Sequence, residues 1–212
     1  IKDILIKNNF LYVSYTNEEQ QGCYNLNILY ADLSHPSLNF KKLNFSNNEN
    51  CIYESDRFNP HAAGERIQNL NDSSIFLSYG SFSNFEKLIG DVGYFGKNIL
   101  INTEDLGVKV ISNGHRNVQG LYYDSEKNIL LSSEHGPKGG DEINLIKMND
   151  LPLHYGWPFS SYGEHYDKKS KKLAPLKKTH KKNGYEEPLI YFTPSIGISE
   201  INKCNINFSS IC

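Results

Sequence analysis

The sequence predicts an all-β protein: a β-propeller of about three to four blades, incomplete as a ring. Three observations carry that prediction. The apolar segments are short, β-branched or aromatic, and bounded by Asn, Asp, Ser and Gly, which is how strands between turns read. No stretch of roughly 11–18 residues keeps apolar side chains at helical spacing, so almost no helix is expected. Strand–turn–strand units also recur at a long, nearly constant period, as in propellers.

The strands in chain order are Leu11–Tyr15, Leu26–Tyr30, Ile75–Tyr79, Ile99–Ile101, Ile129–Ser132 and Ile143–Ile146. The repeat aligns Ile67 with Leu121, Ile75 with Ile129, Leu77 with Leu131 and Ser78 with Ser132, all 54 residues apart. An earlier copy begins at Lys7-Asn-Asn9 and continues as Leu11-Tyr-Val-Ser14, 64 residues before Ile75. A second strand repeats as well, since Leu26-Asn-Ile-Leu29 resembles Ile143-Asn-Leu-Ile146. His61 falls in register with His115, just ahead of a repeated strand. In a propeller those positions enter the innermost strands, so Pro60–Gly64 and Gly114–Asn117 are expected to face one shared mouth. Ligand sites form there because loops from several blades meet.

The chain reads as a single domain over 1–212. The segment from about 160 to 187 breaks the rhythm with Asp167-Lys-Lys-Ser-Lys-Lys172 and Lys177-Lys-Thr-His-Lys-Lys182. It is expected to be a long solvated insertion. The chain opens on Ile1 with no signal-peptide pattern and stops at Cys212 without a polar tail, which reads as a piece of a longer ring.

Composition removes several function classes. With 22 Lys and Arg against 24 Asp and Glu, the net charge is -2, which does not suit a dedicated nucleic-acid binder. No apolar run approaches the ~20 residues of a membrane-spanning helix. The 14 Tyr and 11 Phe are too many for a disordered chain. Cys23, Cys51, Cys204 and Cys212 lack metal-ligand spacing and read as scattered free thiols, with two disulfides in any of three connectivities as the alternative.

Chemistry concentrates between Gly114 and Pro158. Arg116 is a planar cation suited to carboxylates and to carbonyls that gain negative charge, and Asn117 adds a neutral donor. In Glu134-His-Gly-Pro-Lys-Gly-Gly-Asp-Glu142 the glycines and Pro137 bend the backbone sharply. Such a loop can aim consecutive carbonyls at one point, as hard ligands for Ca²⁺, with Asp141 and Glu142 supplying charge. His61, beside Ala62, Ala63 and Gly64, is a candidate general base.

Four motifs together resemble the soluble glucose/sorbosone (aldose sugar) dehydrogenase family. They are Gly114-His-Arg-Asn-Val-Gln-Gly120, Ser133-Glu-His-Gly-Pro-Lys-Gly-Gly-Asp-Glu-Ile-Asn-Leu-Ile146, Tyr155-Gly-Trp-Pro158 and Pro194-Ser-Ile-Gly-Ile-Ser199. The resemblance implies a six-bladed propeller using pyrroloquinoline quinone (PQQ) and calcium to oxidise the anomeric carbon of an aldose to a lactone, with an external electron acceptor. It implies His61 as catalytic base and Arg116, Asn117, His135 and Ser195 as cofactor contacts. The carbonyls of Gly136 and Pro137 would hold the Ca²⁺ that polarises PQQ, and a second, structural Ca²⁺ would lie near Glu142 and the Tyr155 carbonyl. A periplasmic or secreted location is also implied. The chain departs from the family pattern at Ala63, Glu65 and Thr193, and carries three extra residues between Glu142 and Tyr155. Basic residues that the family uses to grip the PQQ carboxylates come from later blades, so the chain alone is expected to bind PQQ weakly or not at all. Two other readings remain: a degenerate propeller that binds carbohydrate or a protein partner, and a metal-dependent propeller lactonase.

Overall fold

The computed structural model describes residues 1–45, 51–54, 58–150 and 152–204. These residues build three antiparallel-rich sheets, each one blade. Blade 1 contains β1 (Asp3–Lys7), β2 (Phe10–Gln20), β3 (Cys23–Asp32) and β4 (Lys41–Lys42) in that order, with β5 (Ile52–Tyr53) on the far end of β3. Asn8 and Asn9, at φ 48° and 62°, form the two-residue turn that pairs Lys7 with Phe10. Asn tolerates this left-handed region, which matches the twist of a hairpin. Blade 2 runs β6 (Gly64–Asn71), β7 (Ser74–Tyr79), β8 (Lys97–Asn102), β9 (Val108–Asn113). Blade 3 runs β10 (Val118–Asp124), β11 (Ile129–Glu134), β12 (Asp141–Lys147) and then β14 (Ile190–Phe192). Helix is limited to α1 (Phe85–Ile89), α2 (Lys168–Leu173) and short 3-10 turns among the described residues.

The repeat seen in sequence is the first hairpin of each blade. Ile67 and Leu121 sit on β6 and β10, and Ile75 and Ile129 on β7 and β11. Leu26 and Ile143 sit on the third strands, β3 and β12. The innermost strands pack together, β6 touching both β1 and β10.

Strand β7 explains how blades adhere. All six of its residues are buried. Successive side chains point to opposite faces. Ile75, Leu77 and Tyr79 therefore pack with Leu26, Ile28 and Ile52 of blade 1, while Phe76 packs with Val118, Leu121 and Leu130 of blade 3. Each fully buried Leu or Ile contributes about 1.5–3 kcal/mol.

One connection crosses between blades. After β12 the chain returns to blade 2, where β13 (Leu153–His154) pairs in parallel with the outer strand β9. Tyr155 and Trp157 extend this clasp by donating N–H groups to the carbonyls of Asn113 and Gly114, at 2.8 and 3.0 Å. Gly114 is required there, because a Cβ would lie 2.5 Å from the His154 ring.

Two expectations are corrected. Cys23 and Cys51 are not free thiols; they form a disulfide, with Cα atoms 5.5 Å apart. Pairing of Cys23 with Tyr53 across β3 and β5 brings them together, which a spacing of 28 residues does not announce. Cys204 is disulfide-bonded as well, and Cys212 lies outside the described residues. The insertion over 160–187 is also not simply solvated. Its lysines are mostly exposed, but Ser160, Ser161, Ser170, Ala174 and His180 are buried. Lys138 and Glu164 exchange backbone hydrogen bonds of 2.9 Å, which pins the insertion to the Gly136–Gly140 loop.

Candidate active site

His61, Arg116, Asn117, His135, Gly136 and Ser195 line a single cleft of about 570 Å³. The loops ahead of β6 and β10, the β11–β12 loop and the segment after β14 supply them, so blades 2 and 3 meet here. His61 sits on a 3-10 turn (Pro60–Ala62) whose first N–H groups are capped by Asn59, with His61 N–H donating to Asn59 Oδ1 at 2.9 Å. Its side chain is exposed to the cleft.

Arg116 is held from several sides. Its backbone N–H donates to Glu134 Oε2 at 2.9 Å. Its guanidinium Nη1 donates to the carbonyls of His135 and Gly136 at 2.9 and 2.8 Å and lies 5.5 Å from the Trp157 ring centroid. Burial lowers its pKa from the ordinary arginine value, opposed by the charges of Tyr166, Glu134 and Asp141. Asn117 Oδ1 accepts from the Gly64 N–H at 3.1 Å and from Gln119 Nε2 at 3.0 Å, joining β6 to β10.

Asp141 has a role different from cation charge. Its Oδ1 accepts from the Gly136 N–H at 3.1 Å, and its Oδ2 from the N–H groups of Ile196, Gly197 and Ile198 at 3.1, 2.8 and 3.3 Å. One buried carboxylate thus ties the Glu134–Glu142 loop to the segment that presents Ser195. Hydrogen bonds to a charged acceptor contribute about 1.5–3 kcal/mol each.

Gly136, Pro137, Glu142 and Tyr155, expected at two cation sites, line one small pocket of about 10 Å³. That is room for about one water-sized occupant. Its oxygen donors are hard ligands of the kind calcium takes. The Glu142 carboxyl is pushed well above the ordinary carboxylate range by burial and by the nearby Glu134 charge, a cost a cation would relieve. His180 Nε2 lies 3.5 Å from Glu142 Oε1, but burial shifts both toward neutral, so the contact is a neutral pair rather than an ion pair. The Gly136 carbonyl is engaged by Arg116. Among the described residues no group of three or more His, Cys, Asp or Glu could hold a metal ion.

His115 does not share the mouth with Arg116. It is fully buried, with Nε2 2.8 Å from Ser112 Oγ and 3.1 Å from Asn98 Nδ2, and it stacks on Tyr155 at 5.0 Å. Its Nδ1 lies 3.5 Å from Glu134 Oε1. Burial raises the Glu134 pKa, but the His115 charge and the bonds from His115 and Arg116 outweigh it and hold the carboxyl below its usual range.

Beneath the His61 turn lies Glu65, completely buried at φ 76°. Its Oε1 accepts from Thr16 Oγ1 of blade 1, its carbonyl accepts from Ser14 Oγ at 2.6 Å, and its Oε2 has no hydrogen-bond partner among the described residues. Burial pushes its pKa up to about 7, against the Thr16 bond and the Lys2 charge.

The cleft is rich in donors, namely Lys2, His61, Arg116, Asn117 and Gln119, while Asp141 is saturated by backbone N–H groups. That donor set fits an oxidised polyanion bearing carbonyls, such as PQQ. The sequence profile of the glucose/sorbosone dehydrogenases matches residues 3–207. The chain belongs to that family. It is 34% identical over 102 residues to the aldose sugar dehydrogenase YliI of Escherichia coli K12, a match covering 48% of this chain and 26% of the relative. It is 30% identical over 165 residues to the uncharacterized protein slr1608 of Synechocystis, covering 67% of this chain and 38% of that one. Its fold matches the apo-form soluble aldose sugar dehydrogenase of E. coli at TM-score 0.69 and 22% identity, over 91% of this chain and 56% of the other. It also matches the PQQ-bound aldose sugar dehydrogenase of Streptomyces coelicolor at TM-score 0.60 and 21% identity, over 91% and 52%. The chain therefore spans little more than half of those structures, and its matches cover well under half of the two sequence relatives.

Proposed function

We propose that the chain contributes the catalytic base and part of the cofactor site to a PQQ- and calcium-dependent oxidation of an aldose at its anomeric carbon. The observation that carries this reading is the convergence of His61, Arg116, Asn117, His135 and Ser195 on one donor-rich cleft. Bound PQQ supplies the two-electron, hydride-accepting chemistry that turns the sugar into a lactone. His61 takes the proton of the anomeric hydroxyl, which its exposure in the cleft allows. Arg116 and Asn117 would hold the quinone oxygens and supply donors to charge there. Only Nη1 of Arg116 is used on the His135 and Gly136 carbonyls, so its other N–H groups are available to the quinone, and the Gly136 and Pro137 carbonyls would hold the cation. Asp141 keeps Ser195 at the cleft wall. An external acceptor removes the electrons. A lactonase would need free carboxylates on a metal at the axis, and Asp141, the one carboxylate among the described residues lining the cleft, is spent on four N–H groups.

A periplasmic or secreted location is supported by the Cys23–Cys51 disulfide, since such bonds persist in oxidising compartments. No helix among the described residues is long and apolar enough to cross a membrane.

The test is dye-linked oxidation of aldoses by the full-length protein after adding PQQ and Ca²⁺. Turnover that requires both, and that His61→Ala abolishes while PQQ still binds, supports the reading. Turnover that survives His61→Ala removes His61 as the base. PQQ bound without turnover on any aldose favours the degenerate carbohydrate-binding alternative.

A further inference from the structure

The insertion between β13 and β14 gathers positive charge that the cleft does not use. Over 160–187 it holds 8 of the chain's 22 Lys and Arg but only 4 of its 24 Asp and Glu, a net +4 that leaves -6 on the rest of the chain. Lys178 is engaged internally, its Nζ donating to the carbonyls of Tyr162, at 2.6 Å, and Gly163. The other seven are exposed: Lys168, Lys169, Lys171 and Lys172 on α2, and those at 177, 181 and 182. The lysine ion pairs among the described residues lie elsewhere, at Lys42, Lys97 and Lys127.

A lysine run is ordinarily a solvated face. Two observations set this one apart. The first is that the lysines stand on a fixed base against their own repulsion. Like charges three and four apart on a helix repel, and α2 holds three such pairs: Lys168–Lys171, Lys168–Lys172 and Lys169–Lys172. The helix forms because Asp167 Oδ1 accepts from the Ser170 N–H at 2.7 Å and because Ser170 and Ala174 are buried. At the foot of the insertion a Cβ on Gly163 would clash with the Gly139 carbonyl, so the two backbones touch where no side chain fits. The second observation is the place. Tyr166, two residues before α2 and 73% exposed, lines the cleft. Asp167 and Ser170 line a cavity of about 170 Å³, walled by Phe85, Trp157 and His165, that meets the cleft at Arg116 and Tyr166. Helix α2 therefore stands at the edge of the cleft.

We propose that α2 and the lysines after it are the docking surface for an acidic one-electron carrier protein that collects the electrons of the oxidised sugar. This rests on the sugar-oxidising reading above and gives the external acceptor a chemical class. Conversion of an aldose to its lactone releases two electrons and two protons. Two carrier molecules are reduced in succession by one electron each, and the protons pass to solvent. A negative carrier is drawn to the positive insertion and repelled by the rest of the chain, which brings it in beside the cleft. Hydrated ammonium groups on flexible stems suit a partner that must leave after each electron, as small, transient redox interfaces require.

Two carriers serve as probes: plastocyanin, an acidic blue-copper protein, and mitochondrial cytochrome c, a basic haem protein. Reduction of each by the full-length protein with PQQ, Ca²⁺ and glucose is followed from about 0.01 M to about 1 M salt. Binding of each is measured separately by surface plasmon resonance, without cofactor or sugar. At low salt plastocyanin should bind, and be reduced at least about tenfold faster than cytochrome c, with the advantage gone at high salt. The combined variant Lys168→Glu, Lys169→Glu, Lys171→Glu and Lys172→Glu should abolish that advantage while dye-linked turnover and melting temperature hold. The matching set of Lys→Gln changes should reduce it in part. Equal rates with both carriers, a preference indifferent to salt, or plastocyanin binding unchanged in both variants overturns the docking surface. Phosphatidylglycerol vesicles bound as tightly as plastocyanin overturn the choice of a protein partner. Dye-linked aldose turnover without a preference for plastocyanin sinks the docking surface alone, while salt-sensitive plastocyanin binding with no turnover on any aldose sinks the oxidation reading alone.

Discussion

Replacing Glu65 by Gln should make the protein less sensitive to alkali. Glu65 is fully buried, its Oε2 has no hydrogen-bond partner among the described residues, and burial pushes its carboxyl up to about 7 from the usual 4.5. A carboxyl whose pKa is raised on folding favours the folded state when protonated. That contribution is complete below about pH 4.5 and is lost as pH rises through about 7. At 1.36 kcal/mol for each pH unit, the gap between the two values costs about 3 kcal/mol by mildly alkaline pH. Gln cannot ionise, so Glu65→Gln escapes that loss. It carries a constant penalty for the unpaired amide N–H, on the order of 1–3 kcal/mol. The wild-type-minus-variant difference removes contributions from all other groups. Urea denaturation of both proteins between about pH 4 and pH 8 should show that difference moving by about 3 kcal/mol in favour of the variant. A difference that stays flat across the range would refute the reasoning, since Glu65 would then titrate alike in the folded and unfolded chains.

Three further outcomes follow from the site. Asp141→Asn should cost about 2–4 kcal/mol of stability and expose the Ile196–Ile198 amides to faster hydrogen exchange, measured by mass spectrometry, because the charge that gathers four N–H groups is gone. Unchanged exchange there would show that the Ser195 segment is held by something else. Cys23→Ala with Cys51→Ala should lower stability by about 3–4 kcal/mol for the 28-residue loop they close, read as a drop in urea midpoint. Arg116→Lys cannot keep both carbonyl bonds and the ring contact, so a red shift of Trp157 emission is expected, with an unshifted spectrum as the contrary result.

The fold was legible because propeller blades repeat. Ile67, Ile75 and Leu77 return as Leu121, Ile129 and Leu131, and each pair occupies the same strand of its blade. The cleft was legible because His61, Arg116, Asn117, His135 and Ser195 lie in recognisable motifs. What escaped depends on contacts between segments far apart in sequence. His61 and His115 are in register, yet one is exposed and the other is sealed among Ser112, Asn98 and Tyr155, since the clasp covers blade 2 and leaves the Pro60 turn open. Asp141 next to Glu142 reads as a pair of cation ligands, and only the arrival of Ile196–Ile198 makes it an acceptor for amides. The lysines of the insertion hid the fact that Gly163 packs backbone to backbone on Gly139. Phe85, Tyr166 and the Cys23–Cys51 bond belong to no motif, so nothing local marked them.

The strand β13 has a consequence for how this molecule comes apart. Because the chain leaves blade 3, adds a strand to the edge of blade 2 and returns to finish blade 3, neither of these blades can open alone. Among the described residues blade 1 has no such tie and instead holds its own cross-link between β3 and the residue preceding β5. Unfolding should therefore proceed in two blocks, one stapled covalently and the other laced by topology. The cleft draws its chemical groups almost entirely from the laced block.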